Sequence, residues 1–192
     1  MEGIKKLKQD LEVLEEMAGL IDEYLRSDVL FYPTSRTDLP KVTLGGYLMR
    51  QYRLLQLRDL LDMEEQSRLH DAIGQYNSAL DEKIVRFETK AHTELEARLR
   101  QWQEYLSEVK RGVNIAYYES AVDTRAMIEA LVAQLRVPPY ELDEEIPRSL
   151  ALLDRELSRV WERGEFVWPR EWKPAYPRDE YWWLYGHPRK AD

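Results

Sequence analysis

A stripe of apolar side chains recurs every three or four residues across the middle of the chain and constrains the fold more than any other feature. Its members are Leu69, Ile73, Tyr76, Leu80, Ile84, Phe87, Ala91, Leu95, Leu99, Trp102, Leu106, Val109 and Val113. This spacing is typical of an α-helix with one buried face. An unbroken helix over 64–113 would be about 75 Å long, whereas a sphere of this chain length would be about 40 Å across. The stripe therefore predicts one very long helix in an elongated molecule.

Gly74 and Asn77 offer one place where this helix could break. Ser78 would then cap a new helix, since a serine oxygen accepts a hydrogen bond from a free N–H of the first turn. The part that remains, up to Val113, would still be about 54 Å long. With or without the break, we expect an elongated molecule or a projecting helix end.

Four further helices are predicted from apolar periodicity and capping residues. They cover residues 4–25, 43–61, 114–136 and 143–164. Thr43 is the predicted N-cap of the second of these helices. Asp62 with Glu65 has the spacing of a capping box at the start of the long helix. No segment shows the alternation of a strand, so the predicted fold is all-α, an elongated bundle of about five helices.

The composition changes sharply at Gly164. Residues 164–192 contain four of the six tryptophans and four of the nine prolines. Residues before proline are disfavoured in helices, and such aromatic density is not typical of disorder. We therefore predict a bundle domain at 1–163 and an extended aromatic arm at 164–192, docked on the bundle or on a partner subunit. The predicted interaction residues of this arm are Trp168, Trp172, Tyr176, Tyr181, Trp182, Trp183 and Tyr185.

Charge and composition argue against several classes of function. The chain has 36 acidic and 28 basic residues, a net charge of −8 and no cysteine. Such a charge disfavours nucleic acids and anionic membranes as partners, and the lack of cysteine excludes disulfides and thiolate ligands. No apolar run is typical of a signal peptide or membrane span, so we expect a cytoplasmic protein.

Histidine is the best remaining metal ligand, and His92 is the best placed of the three histidines. Glu88 and Glu96 lie four residues to either side of it, which resembles half of a carboxylate-bridged metal site in a helix bundle. The matching half on a second helix is missing. We therefore predict a solvated helix surface here, with no metal and no cofactor.

Charged residues near position 120 suggest two further sites. Glu119 and Asp123 are carboxylates one turn apart, but they lie opposite Ile128 on a helical wheel, which predicts that they face solvent. Arg125 lies nearer the apolar face and is predicted to pair with an acid of a neighbouring helix.

Gly45 and Gly46 at a helix start would expose backbone N–H groups to an anion. The pair lacks the spacing of a phosphate-binding loop, so close packing is the preferred interpretation. No motif for a catalytic nucleophile occurs in the chain, and we predict no catalytic residues.

Two functional hypotheses follow from these patterns. The first is a non-catalytic interaction or adaptor protein that forms a homodimer or binds another protein through the aromatic arm. The alternative is an enzyme or small-molecule-binding protein with a pocket between helices that the arm closes. An apolar cavity between helices with converging carboxylates would favour the alternative.

Overall fold

Helices make up most of the chain in the computed structural model, which describes residues 1–189. The α-helices are α1 (Glu2–Arg26), α2 (Leu44–Gln56), α3 (Met63–Asp81), α4 (Ile84–Lys110), α5 (Tyr118–Leu135) and α6 (Glu145–Arg159). Two strands follow, β1 (Trp161–Phe166) and β2 (Tyr185–Pro188). Of the predicted all-α fold, the structure confirms a mostly-α class. One buried apolar cluster draws on all six helices and on the C-terminal segment.

The single central helix predicted over 64–113 is wrong. The structure divides it between Asp81 and Ile84, whereas the proposed break at Gly74 and Asn77 lies inside α3. Lys83 has non-helical backbone angles, and its ammonium group donates a hydrogen bond to Asp22 of α1. The longest helix, α4, has 27 residues, which corresponds to about 40 Å. A helix of this length is no longer than a compact molecule of this size is wide, so helix length does not require an elongated molecule.

Both predicted helix starts at Thr43 and Asp62 are confirmed. The Thr43 hydroxyl accepts a hydrogen bond from the Gly46 N–H at 3.0 Å. Asp62 and Glu65 form a reciprocal capping box, with two side-chain to backbone distances of 2.9 Å. Such caps are local in sequence, because each satisfies an N–H group that the first turn leaves free.

The start of α2 is held by a buried carboxylate from α4. Glu94 is 0% exposed and accepts hydrogen bonds from the N–H groups of Leu44 and Gly45 at 2.8 and 3.1 Å. Arg98, one turn further along α4, donates to the same carboxylate at 3.1 Å. Negative charge is favoured at a helix N-terminus. The chain therefore supplies its own anion at the glycine pair, and the preferred interpretation of close packing is confirmed.

The C-terminal segment is not a purely extended arm, and the expectation that the chain lacks strands is wrong. β1 and β2 pair antiparallel, with Trp161 opposite Pro188 and an irregularity between Arg163 and Phe166. Accordingly α6 ends at Arg159 rather than at Gly164. The intervening chain forms 3-10 turns at Arg170–Ala175 and Trp182–Leu184. Residues 190–192 of the predicted arm lie outside the described part.

Replacing Gly45 and Gly74 by alanine separates close packing from helix propensity. A Cβ at Gly45 would lie 2.7 Å from a Glu94 oxygen, whereas nothing lies within 4 Å at Gly74. We expect Gly45→Ala to lower the free energy of unfolding by about 1–3 kcal/mol. Gly74→Ala should raise it by about 0.5–1 kcal/mol. Urea unfolding followed by circular dichroism measures both, and equal effects of the two substitutions would contradict the role of Gly45.

Candidate functional site

A buried arginine joins α1, α2 and the C-terminal segment. Arg53 is 3% exposed and lies over the rings of Trp172 and Trp168, with its guanidinium carbon 3.8 and 4.6 Å from the ring centroids. Its Nε donates to the Tyr176 hydroxyl at 3.1 Å, and one Nη donates to Asp10 at 2.5 Å. The aromatic faces and the carboxylate together compensate the loss of hydration.

Asp10 pairs with a second arginine of α2. Its other carboxylate oxygen lies 3.1 Å from the Nε of Arg50, whose Nη1 donates to the Gly46 carbonyl at 2.8 Å. Burial lowers the pKa of Arg50, and the neighbouring Asp10 charge opposes that shift. One carboxylate of α1 is thus shared by two guanidinium groups of α2.

A cleft of about 600 Å³ opens above these charged groups. It lies between α1, α2, α5 and the loop that connects α1 to α2, and Trp168, Pro169 and Trp172 form part of its wall. This volume falls in the range of about 300–1,000 Å³ that is usual for small-molecule sites. The arrangement is a pocket between helices, flanked by the C-terminal segment.

The structure places Asp123 in this cleft rather than in open solvent. Its side chain is half-buried, while Glu119 lines the same cleft but is exposed. Burial raises the pKa of Asp123, and the charges of Arg53 and Arg50 oppose that rise. The prediction that both carboxylates face solvent therefore fails for Asp123, because the helical wheel did not include the neighbouring Trp168 and α2.

The seven aromatic residues of the predicted interaction surface fall into two groups. Four are buried and three are half-buried: Trp168, Trp172, Tyr176 and Trp183 in the first group, and Tyr181, Trp182 and Tyr185 in the second. The Trp172 indole N–H donates to the Gly3 carbonyl at 2.9 Å, and the Trp183 carbonyl accepts from the Tyr118 hydroxyl at 2.5 Å. Within the chain, the buried group thus packs against α1, α2 and α5.

The predicted buried ion pair of Arg125 is confirmed. Two of its guanidinium nitrogens donate to the two carboxylate oxygens of Asp154 in α6, both at 2.9 Å. A third contact joins Arg125 to Glu129 at 2.8 Å, and the Trp183 ring lies 4.8 Å away. A bidentate pair of this kind fixes orientation, which suits a structural role.

Glu88 and His92 hold the chain that leads into α6 rather than facing only solvent. Glu88 accepts the Glu141 N–H at 2.9 Å, and the His92 Nε2 accepts the Asp143 N–H at 3.2 Å. Within residues 1–189, no group of three or more histidine, cysteine, aspartate or glutamate residues is arranged to hold a metal ion.

Asp10, Arg50 and Arg53 were missed as site residues from the sequence. The sequence did contain a signal for the two arginines, because both lie on the predicted helix with the widest apolar coverage. A charge without a partner would destabilise the fold there. The position of their shared partner on α1 required the packing of the two helices.

Comparisons with protein-family profiles, with curated proteins and with solved structures found no match. Among the described helices, none has the length and apolar character needed to cross a bilayer. Geometry alone therefore supports the functional argument.

Replacing Arg53 by methionine tests whether the buried cation organises the site. We expect Arg53→Met to lower the free energy of unfolding by about 3–5 kcal/mol, because a buried pair loses one partner. Adding Asp10→Asn should cost less in this background than alone, with a coupling of about 0.5–3 kcal/mol. Arg68→Met is the control, because the Arg68–Glu15 pair is partly exposed and should contribute less than about 1 kcal/mol. Equal losses in chemical denaturation for Arg53→Met and Arg68→Met would contradict the role of Arg53.

Proposed function

We propose that the protein binds a small molecule with charges of both signs in the cleft between α1, α2 and α5. The observation that carries this proposal is the unequal charge of the two facing walls. The wall from α1, α2 and their connecting loop has four basic and three acidic residues, Lys6, Arg36, Arg50 and Arg53 with Asp10, Glu12 and Asp38. The α5 wall has two acidic residues and no basic ones, Glu119 and Asp123.

The α5 carboxylates are the groups best suited to receive a positive charge. In the described part of the chain, neither Glu119 nor Asp123 has a basic nitrogen within 4.0 Å among the ion pairs. Arg53, by contrast, already has Asp10 and three aromatic rings. An ammonium group beside Asp123 would form a charge-assisted hydrogen bond in a partly dehydrated site.

The basic wall would receive the negative end of the same ligand. Arg50 lines this wall, where its Nε pairs with Asp10 at 3.1 Å and its Nη1 donates to the Gly46 carbonyl at 2.8 Å. Lys6 and Arg36 also line the cleft, and their half-exposed side chains pair with Glu2 and Asp38, so a ligand anion would share these cations with the two carboxylates. A ligand carboxylate or phosphate on this side would accept hydrogen bonds from the basic side chains of this one wall.

The C-terminal segment supports this proposal by forming the third side of the cleft. Trp168 and Trp172 are buried, and they shield the Arg53–Asp10 pair from water. Electrostatic interactions are stronger where water is excluded. In this proposal the protein binds the ligand without converting it chemically. The protein is therefore non-catalytic, as in the first of the two hypotheses drawn from the sequence.

We propose the cytoplasm as the compartment, since a cysteine-free chain suits a reducing environment.

A series of four-carbon probes tests the proposal by calorimetry. We expect 4-aminobutanoate to bind at least about tenfold more tightly than 1,4-diaminobutane or butanedioate, since only the first matches both walls. Asp123→Asn and Glu119→Gln should each weaken its binding. The control is Glu96→Gln, because Glu96 is exposed on α4 and lies outside the cleft.

The pH dependence of this binding follows from the raised pKa of Asp123. The carboxylate is ionised above that pKa, so affinity for the ammonium group should be full there and should fall as pH decreases through it. Asp123→Asn should reduce this dependence to the part that comes from Glu119 and from the carboxyl group of the probe itself. If 1,4-diaminobutane or butanedioate bound as tightly as 4-aminobutanoate, a ligand with charges of both signs would be ruled out. If no probe gave saturable heat, binding of this class of ligand would be ruled out.

We propose self-association as a second function, because exposed apolar side chains flank a groove between α2 and α5. Leu55 and Val137 are 42% and 54% exposed. The groove between them has a volume of about 270 Å³ and is lined by small side chains of α5, including Ala130 and Ala133. A second copy of the chain would remove this surface from water.

Light scattering after size exclusion tests this second proposal. The unmodified protein should have the mass of a dimer at micromolar concentration, and Leu55→Glu with Val137→Glu should convert it to a monomer. Val85→Glu is the control, since Val85 is exposed on α4 and does not line the groove. A monomeric mass for the unmodified chain would reject self-association and leave the cleft proposal untouched.

A further inference from the structure

Another cavity lies beside the two-stranded sheet, with a lining separate from that of the cleft. It has a volume of about 430 Å³ and is lined by Ser158, Trp161, Arg163, Arg178, Asp179, Trp182 and Tyr185. None of these residues lines the charged cleft. The C-terminal end of α6, β1, the segment before β2 and β2 itself each contribute at least one of them.

Two indole rings and one phenol ring form the apolar part of this cavity. Trp161 and Trp182 are perpendicular, with ring centroids 5.5 Å apart and an interplanar angle of 89°. Both side chains are half-buried, in contrast to the buried Trp168, Trp172 and Trp183. Half-buried indole rings in a concave site offer surface for another planar ring to contact.

Two exposed arginines form the polar part of the cavity. Neither Arg163 nor Arg178 belongs to an ion pair within the described chain. Arg178 lies over the Tyr185 ring at 4.9 Å and makes a long hydrogen bond of 3.4 Å to the Gly164 carbonyl. Its guanidinium is thereby oriented beside the cavity while most of its donors stay available. Asp179 is the acidic residue of the lining.

We propose that this cavity binds a planar aromatic ring joined to a phosphate group, as in a nucleoside monophosphate. The aromatic ring would contact Trp161 and Trp182, and the phosphate would accept hydrogen bonds from Arg163 and Arg178. Guanidinium groups bind phosphate through pairs of parallel hydrogen bonds, and planar ligand rings pack against indole faces. The net charge of −8 favours a single small anion over a nucleic-acid polymer.

Tryptophan fluorescence tests this proposal on the full chain, because Trp161 and Trp182 lie in the cavity. We expect adenosine 5′-monophosphate to change the emission saturably. Adenosine and inorganic phosphate each supply half of the ligand, so each should bind at least about tenfold more weakly. Absence of saturation by the monophosphate, or equal binding of adenosine alone, would overturn the proposal.

Matched arginine variants locate the binding. Arg163→Gln and Arg178→Gln should each weaken monophosphate binding by about tenfold or more. Both residues are exposed, so thermal melts should show that the variants remain folded. The control is Arg100→Gln, because Arg100 is exposed on α4 and lies outside the cavity. An equal loss in the Arg100 variant would show non-specific charge attraction and would reject the site. The outcome is independent of the cleft proposal, whose probes and variants involve other residues.

Discussion

The packing of α1 and the C-terminal segment against α2 depends on the buried guanidinium group of Arg53. A buried cation is tolerated only where other groups replace its hydration shell. Here those groups come from Asp10 on α1 and from Trp172 and Tyr176 in the C-terminal segment. Removing any one of these segments exposes or unpairs the charge. The docking of α1, α2 and the C-terminal segment is therefore one linked event, and the cleft forms where they meet.

Helix α2 is held by charges of opposite sign along its length. Its N-terminus receives the Glu94 carboxylate from α4, and the Arg53 side chain, two turns further on, pairs with Asp10. The first contact fixes α2 against α4, while the second fixes it against α1. Close approach at Gly45 is what allows the carboxylate to reach the backbone. With α2 held at both points, Arg50 lies in the wall of the cleft that Glu119 and Asp123 of α5 also line.

Sequence patterns predicted the features that are local and missed those that depend on distant contacts. Thr43 and Asp62 were predicted as caps because each cap involves only a few neighbouring residues. The break beside Lys83 was hidden because the apolar stripe stays in phase across it. The pairing of β1 with β2 joins segments about two dozen residues apart, which short alternating patterns do not reveal. The cleft was not predicted because its charged residues come together only when three helices have packed.

The separation along the sequence between Arg53 and its aromatic partners also determines when the protein can finish folding. More than one hundred residues lie between Arg53 and Trp172, and closing so long a loop costs conformational entropy before any contact repays it. During synthesis, α1 and α2 emerge long before the segment that covers them. Arg53 must therefore stay hydrated in the growing chain, and α2 cannot reach its final environment until residue 176 has left the ribosome.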